Sequence, residues 1–219
     1  MKPVGFAAYE VVRAVLFYLA LLYWRVDIRG KGNVPTSGPF LLCPVHRSNI
    51  DGPLTAIFTK RHMKYLAKHE MFRPAPFARL IESMGAISVN RGAPDRASLK
   101  TCLDVLNSGE PLVLFPEGGR RDGPLVEHVQ EGAAYLALRS GVPIVPIGID
   151  GSENANPRGT VFLRPVKVRV VIGKPLLFER PEGSNRVPRS VINESTATLQ
   201  RTLQELFDEA AGRTTTATK

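Results

Sequence analysis

Apolar residues fall into two patterns along this chain. Short unbroken runs at residues 40–45, 63–67, 86–90, 112–115, 144–149 and 166–172 read as strands buried on both faces, with 161–163 a weaker seventh. Between them, residues 54–60, 77–83, 97–107 and 129–140 carry helical spacing, and Gly109 and Gly141 stand where the last two helices should stop. Strands and helices in this order predict an α/β fold: a single domain with a mostly parallel central sheet flanked by helices.

The two ends read differently. Leu199, Leu203, Leu206 and Phe207 recur at i, i+4, i+7 and i+8, so residues 189–211 should form a docked helix, with 212–219 a disordered tail. Near the start, Val4, Ala8, Val11, Val12, Val15, Leu16 and Leu19 make a helical stripe that leaves Glu10 and Arg13 outside it. The run 14–24 is apolar on every face, yet its eleven residues fall short of the roughly 20 that span a bilayer. It ends in Tyr23, Trp24 and Arg25 where a cleaved signal needs small residues, so it is expected to stay on the mature chain. Phe17, Tyr18, Tyr23 and Trp24, followed by Arg25, suit an interfacial position. Residues 1–26 are therefore predicted to be an amphipathic membrane-interface helix preceding the domain at 27–211. A helix packed on the core is the alternative.

Composition narrows the functional classes. A chain of 219 residues with 43% hydrophobic content can bury one good core and is short for two. Lys and Arg outnumber Asp and Glu by 29 to 20, and the net charge of +9 favours polyanions: nucleic acid, anionic lipid or a phosphorylated small substrate. Cys43 and Cys102, with no Cys-x-x-Cys pair and no histidines at metal-ligand spacing, point to buried thiols in a reducing compartment and to no structural metal.

Three polar segments each follow a predicted strand. Residues 44–53 place His46 at a strand's carboxyl end, where ligands bind in open α/β sheets, and Asp51 five residues later at a helix start. A carboxylate on one imidazole nitrogen fixes the tautomer and leaves the other to take a proton from a hydroxyl. Alternatively, Asp51 or Ser48 simply caps the helix. Residues 115–123 bring Glu117, glycines at 118 and 119, and Arg120 and Arg121; such a loop suits a phosphate monoester, or is a solvated turn. Residues 85–92 end in Arg91. In a parallel sheet His46, Arg91 and Glu117 gather at one edge.

These residues resemble the glycerolipid acyltransferase family that includes 1-acyl-glycerol-3-phosphate (lysophosphatidic acid) acyltransferases. His46 and Asp51 match its His-x4-Asp block; Gly85, Ile87 and Arg91 match Gly-x-Ile-x-x-x-Arg; Phe115 to Gly118 match Phe-Pro-Glu-Gly; residues 142–146 match Val-Pro-Ile-x-Pro. The third block departs from the usual Thr-Arg-Ser continuation, with Gly119 and Arg121 flanking Arg120. The resemblance implies direct transfer of a fatty acyl group from acyl-CoA or acyl carrier protein to the free hydroxyl of 1-acyl-glycerol-3-phosphate. In that scheme His46 is the base and Asp51 orients it. Arg91, Glu117, Gly118 and Arg120 would hold the acceptor's phosphate, and Pro146 would shape the nearby wall. It implies no metal or bound cofactor, and work at the cytoplasmic face of a membrane as a peripheral or monotopic protein.

Other acceptors remain open, among them glycerol-3-phosphate, another lysolipid or a glycolipid hydroxyl. A covalent serine route has no Gly-x-Ser-x-Gly elbow to use. A nucleic-acid-binding module would explain the charge but lacks a reading motif and interleaved aromatics, so no nucleic-acid partner is expected. A lipid hydrolase would use the same histidine with water in place of the alcohol.

Overall fold

The structure, a computed structural model, describes residues 3–73, 78–79, 81–82, 84–89, 96–180 and 186–213. Seven strands form one sheet: β1 (Asp27–Arg29), β2 (Leu41–Pro44), β3 (Lys64–Lys68), β4 (Ala86–Val89), β5 (Leu112–Val113), β6 (Ile144–Asp150) and β7 (Arg169–Ile172). Their order is β1-β7-β6-β2-β5-β3-β4. All neighbouring pairs are parallel except β6 and β7, so the sheet is mostly parallel. Leu41, Leu42, Cys43, Leu112, Ile144, Val145 and Ile147 have no exposed surface, as central strands with covered faces require. Cys43 lies within this layer and Cys102 beside it; burial pushes the Cys43 thiol far up and the Cys102 thiol up to about 11.

The helices are α1 (Pro3–Tyr18), α2 (Asp51–Thr55), α3 (Arg96–Asn107), α4 (Gly132–Ser140), α5 (Ser152–Ala155) and α6 (Arg189–Ala211). α6 has the predicted bounds and buries Leu199, Leu203 and Phe207. Its backbone comes so close to β6 that a Cβ on Gly148 would fall 2.3 Å from the Leu206 carbonyl; only glycine allows that approach. Gly212 and Arg213, expected in the loose tail, instead finish this helix, with Gly212 left-handed and Arg213 bonded to Asp208. Residues 214–219 lie outside the described residues, as do parts of the helix expected at 77–83.

The N-terminal segment packs one face on the protein and turns another outward. α1 passes into a π-helical turn, Leu19–Tyr23. Tyr9, Ala20 and Trp24 are buried in the body of the protein, while Val11, Val15, Tyr18 and Leu22, at i, i+4, i+7 and i+11, face outward with Phe17 and Leu21 beside them. No described helix is long and apolar enough to cross a membrane.

Other expectations are corrected. Residues 161–163 are not a strand but an exposed loop, with Val161 at 88%. β1 and α5 were not foreseen, because three residues with one apolar side chain, or four residues in a single turn, carry no readable period.

Candidate active site

β2 and β5 are adjacent and parallel, so the loops at their carboxyl ends open on the same edge of the sheet. β2 delivers His46 through Val45, whose N–H is held by the Ile147 carbonyl of β6. α2 then begins at Asp51, and the chain turns back on itself: Asp51 Oδ2 lies 3.0 Å from His46 Nδ1. The same oxygen accepts the N–H groups of Arg47 at 2.7 Å and Ser48 at 2.6 Å. Asp51 is fully buried, whereas the His46 side chain keeps 16% exposure. The imidazole stacks on Phe115, centroids 4.1 Å apart at 28°. One ring nitrogen is thus oriented, and Nε2 has no hydrogen bond among the described residues. A ring in this state can take a proton from a hydroxyl, with its positive form balanced by the buried carboxylate.

Glu117 reaches this loop from the other side, and its expected role needs correction. Its carboxylate is fully buried; Oε2 accepts the His46 N–H at 2.8 Å and Oε1 pairs with Arg47 Nη1 at 2.7 Å. Both oxygens are occupied and none of the side chain meets solvent, so Glu117 braces the histidine loop and does not face a substrate phosphate. Arg47, which no sequence pattern singled out, also donates to the Leu125 carbonyl and lies over the Phe207 ring of α6. A buried guanidinium inside a polar motif looks like any solvated arginine until its surroundings are known.

Gly118 takes a left-handed conformation, φ 68°, and its N–H donates to the Phe115 carbonyl. It closes the turn after β5 and does not offer that N–H to an anion. A Cβ there would also strike the Gln130 side chain. The next residues turn toward His46: the Arg121 N–H donates to the His46 carbonyl at 2.8 Å. Neither Arg120 nor Arg121 has an ion-pair partner among the described residues, and Arg121 Nε is buried without a bond. Arg158 donates to the Arg120 carbonyl and pairs with Asp122 at 3.2 Å.

Arg91 lies outside the described residues. The strand before it, β4, is three strands from β2, roughly 14 Å at usual strand spacing, with its carboxyl end on the same edge. Pro146, expected at the wall of the site, is instead buried in β6 against Gly173. Two further residues were missed. Asn156 accepts a bond from Asn49 at 3.0 Å and one from the Ser48 hydroxyl at 3.3 Å, bracing the histidine loop from behind. Glu153 of α5 is half-buried; burial, then the charges of Asp150 and Asp51, push its carboxyl above the usual range.

A histidine oriented by a buried carboxylate stands at the open edge of a parallel sheet, beside arginines with no ion-pair partner among the described residues, an arrangement chemically able to take a proton from an alcohol or water. A family model for acyltransferases matches residues 25–150, and the chain belongs to the acyltransferase family. It is 29% identical over 177 residues to a chloroplastic 1-acyl-sn-glycerol-3-phosphate acyltransferase of Brassica napus, covering 79% of this chain and 51% of the plant protein. It is 27% identical to a 1-acyl-sn-glycerol-3-phosphate acyltransferase of Bacillus subtilis, covering 77% of this chain and 82% of the bacterial one. The chain spans about half the length of the plant relatives it matches. Its fold is that of the crystal structure of the 1-acyl-sn-glycerophosphate (LPA) acyltransferase PlsC from Thermotoga maritima. The TM-score is 0.72 at 23% identity, covering 94% of this chain and 83% of that one.

Proposed function

We propose that this protein transfers a fatty acyl group from an acyl thioester to the free hydroxyl of 1-acyl-glycerol-3-phosphate, forming phosphatidic acid for phospholipid synthesis. The observation that carries this reading is the bond from the Arg121 N–H to the His46 carbonyl. It holds the backbone of Arg121, and with it the neighbouring Arg120, beside the His46–Asp51 pair, and neither arginine has an ion-pair partner among the described residues. One group can remove a proton from the acceptor while the others bind a phosphate on the same molecule. Relatives named for that acceptor support the choice.

In this mechanism His46 Nε2 takes the hydroxyl proton as the oxygen attacks the thioester carbonyl. Asp51 holds the ring and balances the imidazolium. The tetrahedral intermediate collapses with loss of the carbon–sulfur bond, and the imidazolium returns its proton to the departing thiolate. Arg120 and Arg121, with Arg91, hold the acceptor's phosphate; Gly118 shapes the turn that presents Arg120. The donor is acyl-CoA or acyl carrier protein, and neither metal nor bound cofactor takes part. The outward stripe Val11, Val15, Tyr18 and Leu22 rests in the cytoplasmic face of a membrane, where both amphiphilic substrates reside.

Mass spectrometry of products from an acceptor panel tests this reading. Lysophosphatidic acid, glycerol-3-phosphate, a zwitterionic lysolipid and a glycolipid are each offered with acyl-CoA and with acyl carrier protein. Phosphatidic acid is the expected product. Efficient acylation of another acceptor with none of lysophosphatidic acid, or thiol release that needs no acceptor, would overturn it.

A further inference from the structure

We propose that the loop at residues 157–163 is a second membrane-contacting element, seated in an anionic lipid surface beside the outward face of the N-terminal helix. This rests on the membrane-surface reading above. Val161 and Phe162 are 88% and 78% exposed, and Leu163 follows at 42%. Three consecutive large apolar side chains face solvent there.

Their exposure is imposed by hydrogen bonds. Asn156, itself buried, donates from Nδ2 to the Thr160 carbonyl at 3.2 Å and the Phe162 carbonyl at 3.4 Å. The Thr160 hydroxyl adds a bond to the Phe162 carbonyl, and the Tyr23 hydroxyl donates to the Leu163 carbonyl at 2.9 Å. The backbone oxygens of Thr160, Phe162 and Leu163 are therefore satisfied within the protein while the Val161 and Phe162 side chains point away from it. A segment that enters an apolar medium must meet that condition, since lipid offers its carbonyls no donors.

The Tyr23 bond also joins this tip to the end of the N-terminal helical segment, where Tyr18 and Leu22 are 60% and 73% exposed. The two apolar surfaces adjoin. Arg25, Arg158, Arg164 and Lys167 are exposed near them, and all but Arg158 lack an ion-pair partner among the described residues. Unpaired cations around an apolar tip match an anionic bilayer. On its other side, Asn156 braces the loop of His46 and Asp51 through Asn49 and Ser48. The lipid-seated tip and the catalytic loop thus hang from one residue, which sets the active site close to the bilayer that supplies its acceptor.

The test uses the full chain and vesicles of phosphatidylglycerol and phosphatidylcholine, with and without brominated acyl chains. Phe162→Trp places an indole at the tip; the only native tryptophan, Trp24, is buried and serves as the baseline. Brominated vesicles are expected to quench Phe162→Trp well beyond wild type. The double variant Val161→Ser/Phe162→Ser should partition roughly tenfold less with an unchanged melting temperature. Vesicle binding by wild type without quenching of Phe162→Trp overturns the loop assignment and leaves the membrane reading standing. A wild-type chain that ignores these vesicles overturns both. If light scattering finds a wild-type dimer that the double variant turns into monomer, the tip is a self-association surface and the lipid assignment falls.

Discussion

Arg47 Nη1 lies 2.7 Å from Glu117 Oε1, and neither side chain reaches solvent to any useful extent. The Glu117 carboxylate also holds the His46 N–H, so an ionic clamp between residues far apart in sequence fixes the backbone of the proposed base. The arrangement separates two tasks that sequence motifs run together. Glu117 builds the site, while Arg120 and Arg121 have no ion-pair partner among the described residues and are the groups proposed to meet a ligand.

Removing one partner of that pair strands a buried charge. Glu117→Ala or Arg47→Ala should each lose about 3–5 kcal/mol of stability, read from urea unfolding. Replacing both, as Arg47→Met/Glu117→Leu, should recover only part of it, because the His46 N–H and the Leu125 carbonyl also lose their partners. A double variant no more stable than the singles would show that a stranded charge is not the source of the loss.

The two members of the His46–Asp51 pair should fail in related ways. His46→Ala should slow acyl transfer roughly 100- to 10,000-fold at an unchanged melting temperature. Asp51→Asn keeps an oxygen for the Arg47 and Ser48 N–H groups but removes the counter-charge and the fixed tautomer, so it should be nearly as damaging. Because the residues act as one unit, the double variant should be little worse than His46→Ala; strictly additive losses would contradict the mechanism.

Arg120→Ala and Arg121→Ala should raise KM for lysophosphatidic acid, costing roughly 1.5–3 kcal/mol in kcat/KM if each breaks a charge-assisted bond. Arg91→Ala is expected to behave alike on the strength of its sequence block. With a phosphate-free acceptor the penalty should vanish. An equal loss with both acceptors would make the arginines structural.

Glu153 carries a pH signature. Burial raises its carboxyl in the folded state, so the folded chain holds that proton to higher pH than the unfolded chain does. Stability contributed by the protonated form is then lost as pH rises through the folded value. Glu153→Gln should therefore raise the melting temperature at about pH 8 and change little at about pH 3, where both states are protonated. A shift of equal size at both values would assign the effect to packing.

β2, β5 and β6 were legible because a strand covered on both faces must be apolar throughout, and such runs stand out in any chain. The run at 161–163 misled for the same reason: three apolar residues carry no mark of whether anything covers them, and here Val161 and Phe162 stay largely exposed among the described residues. That β7 opposes β6 was not readable either, since strand direction depends on where a connection returns.

The pairing of His46 with Asp51 was determined by the sequence itself. Only four residues separate them across the turn from β2 into α2, so the carboxylate can reach back to the ring locally, while Glu117 and Asn156 brace that turn from distant parts of the chain. What Glu117 does was decided only in the folded chain. Its neighbours come from a loop 70 residues earlier, and a carboxylate written into a phosphate-binding motif becomes a buried brace once Arg47 closes over it. Burial is a property of everything packed around a side chain, so the residue types in a motif name the groups available, and tertiary structure selects which of them still face a substrate.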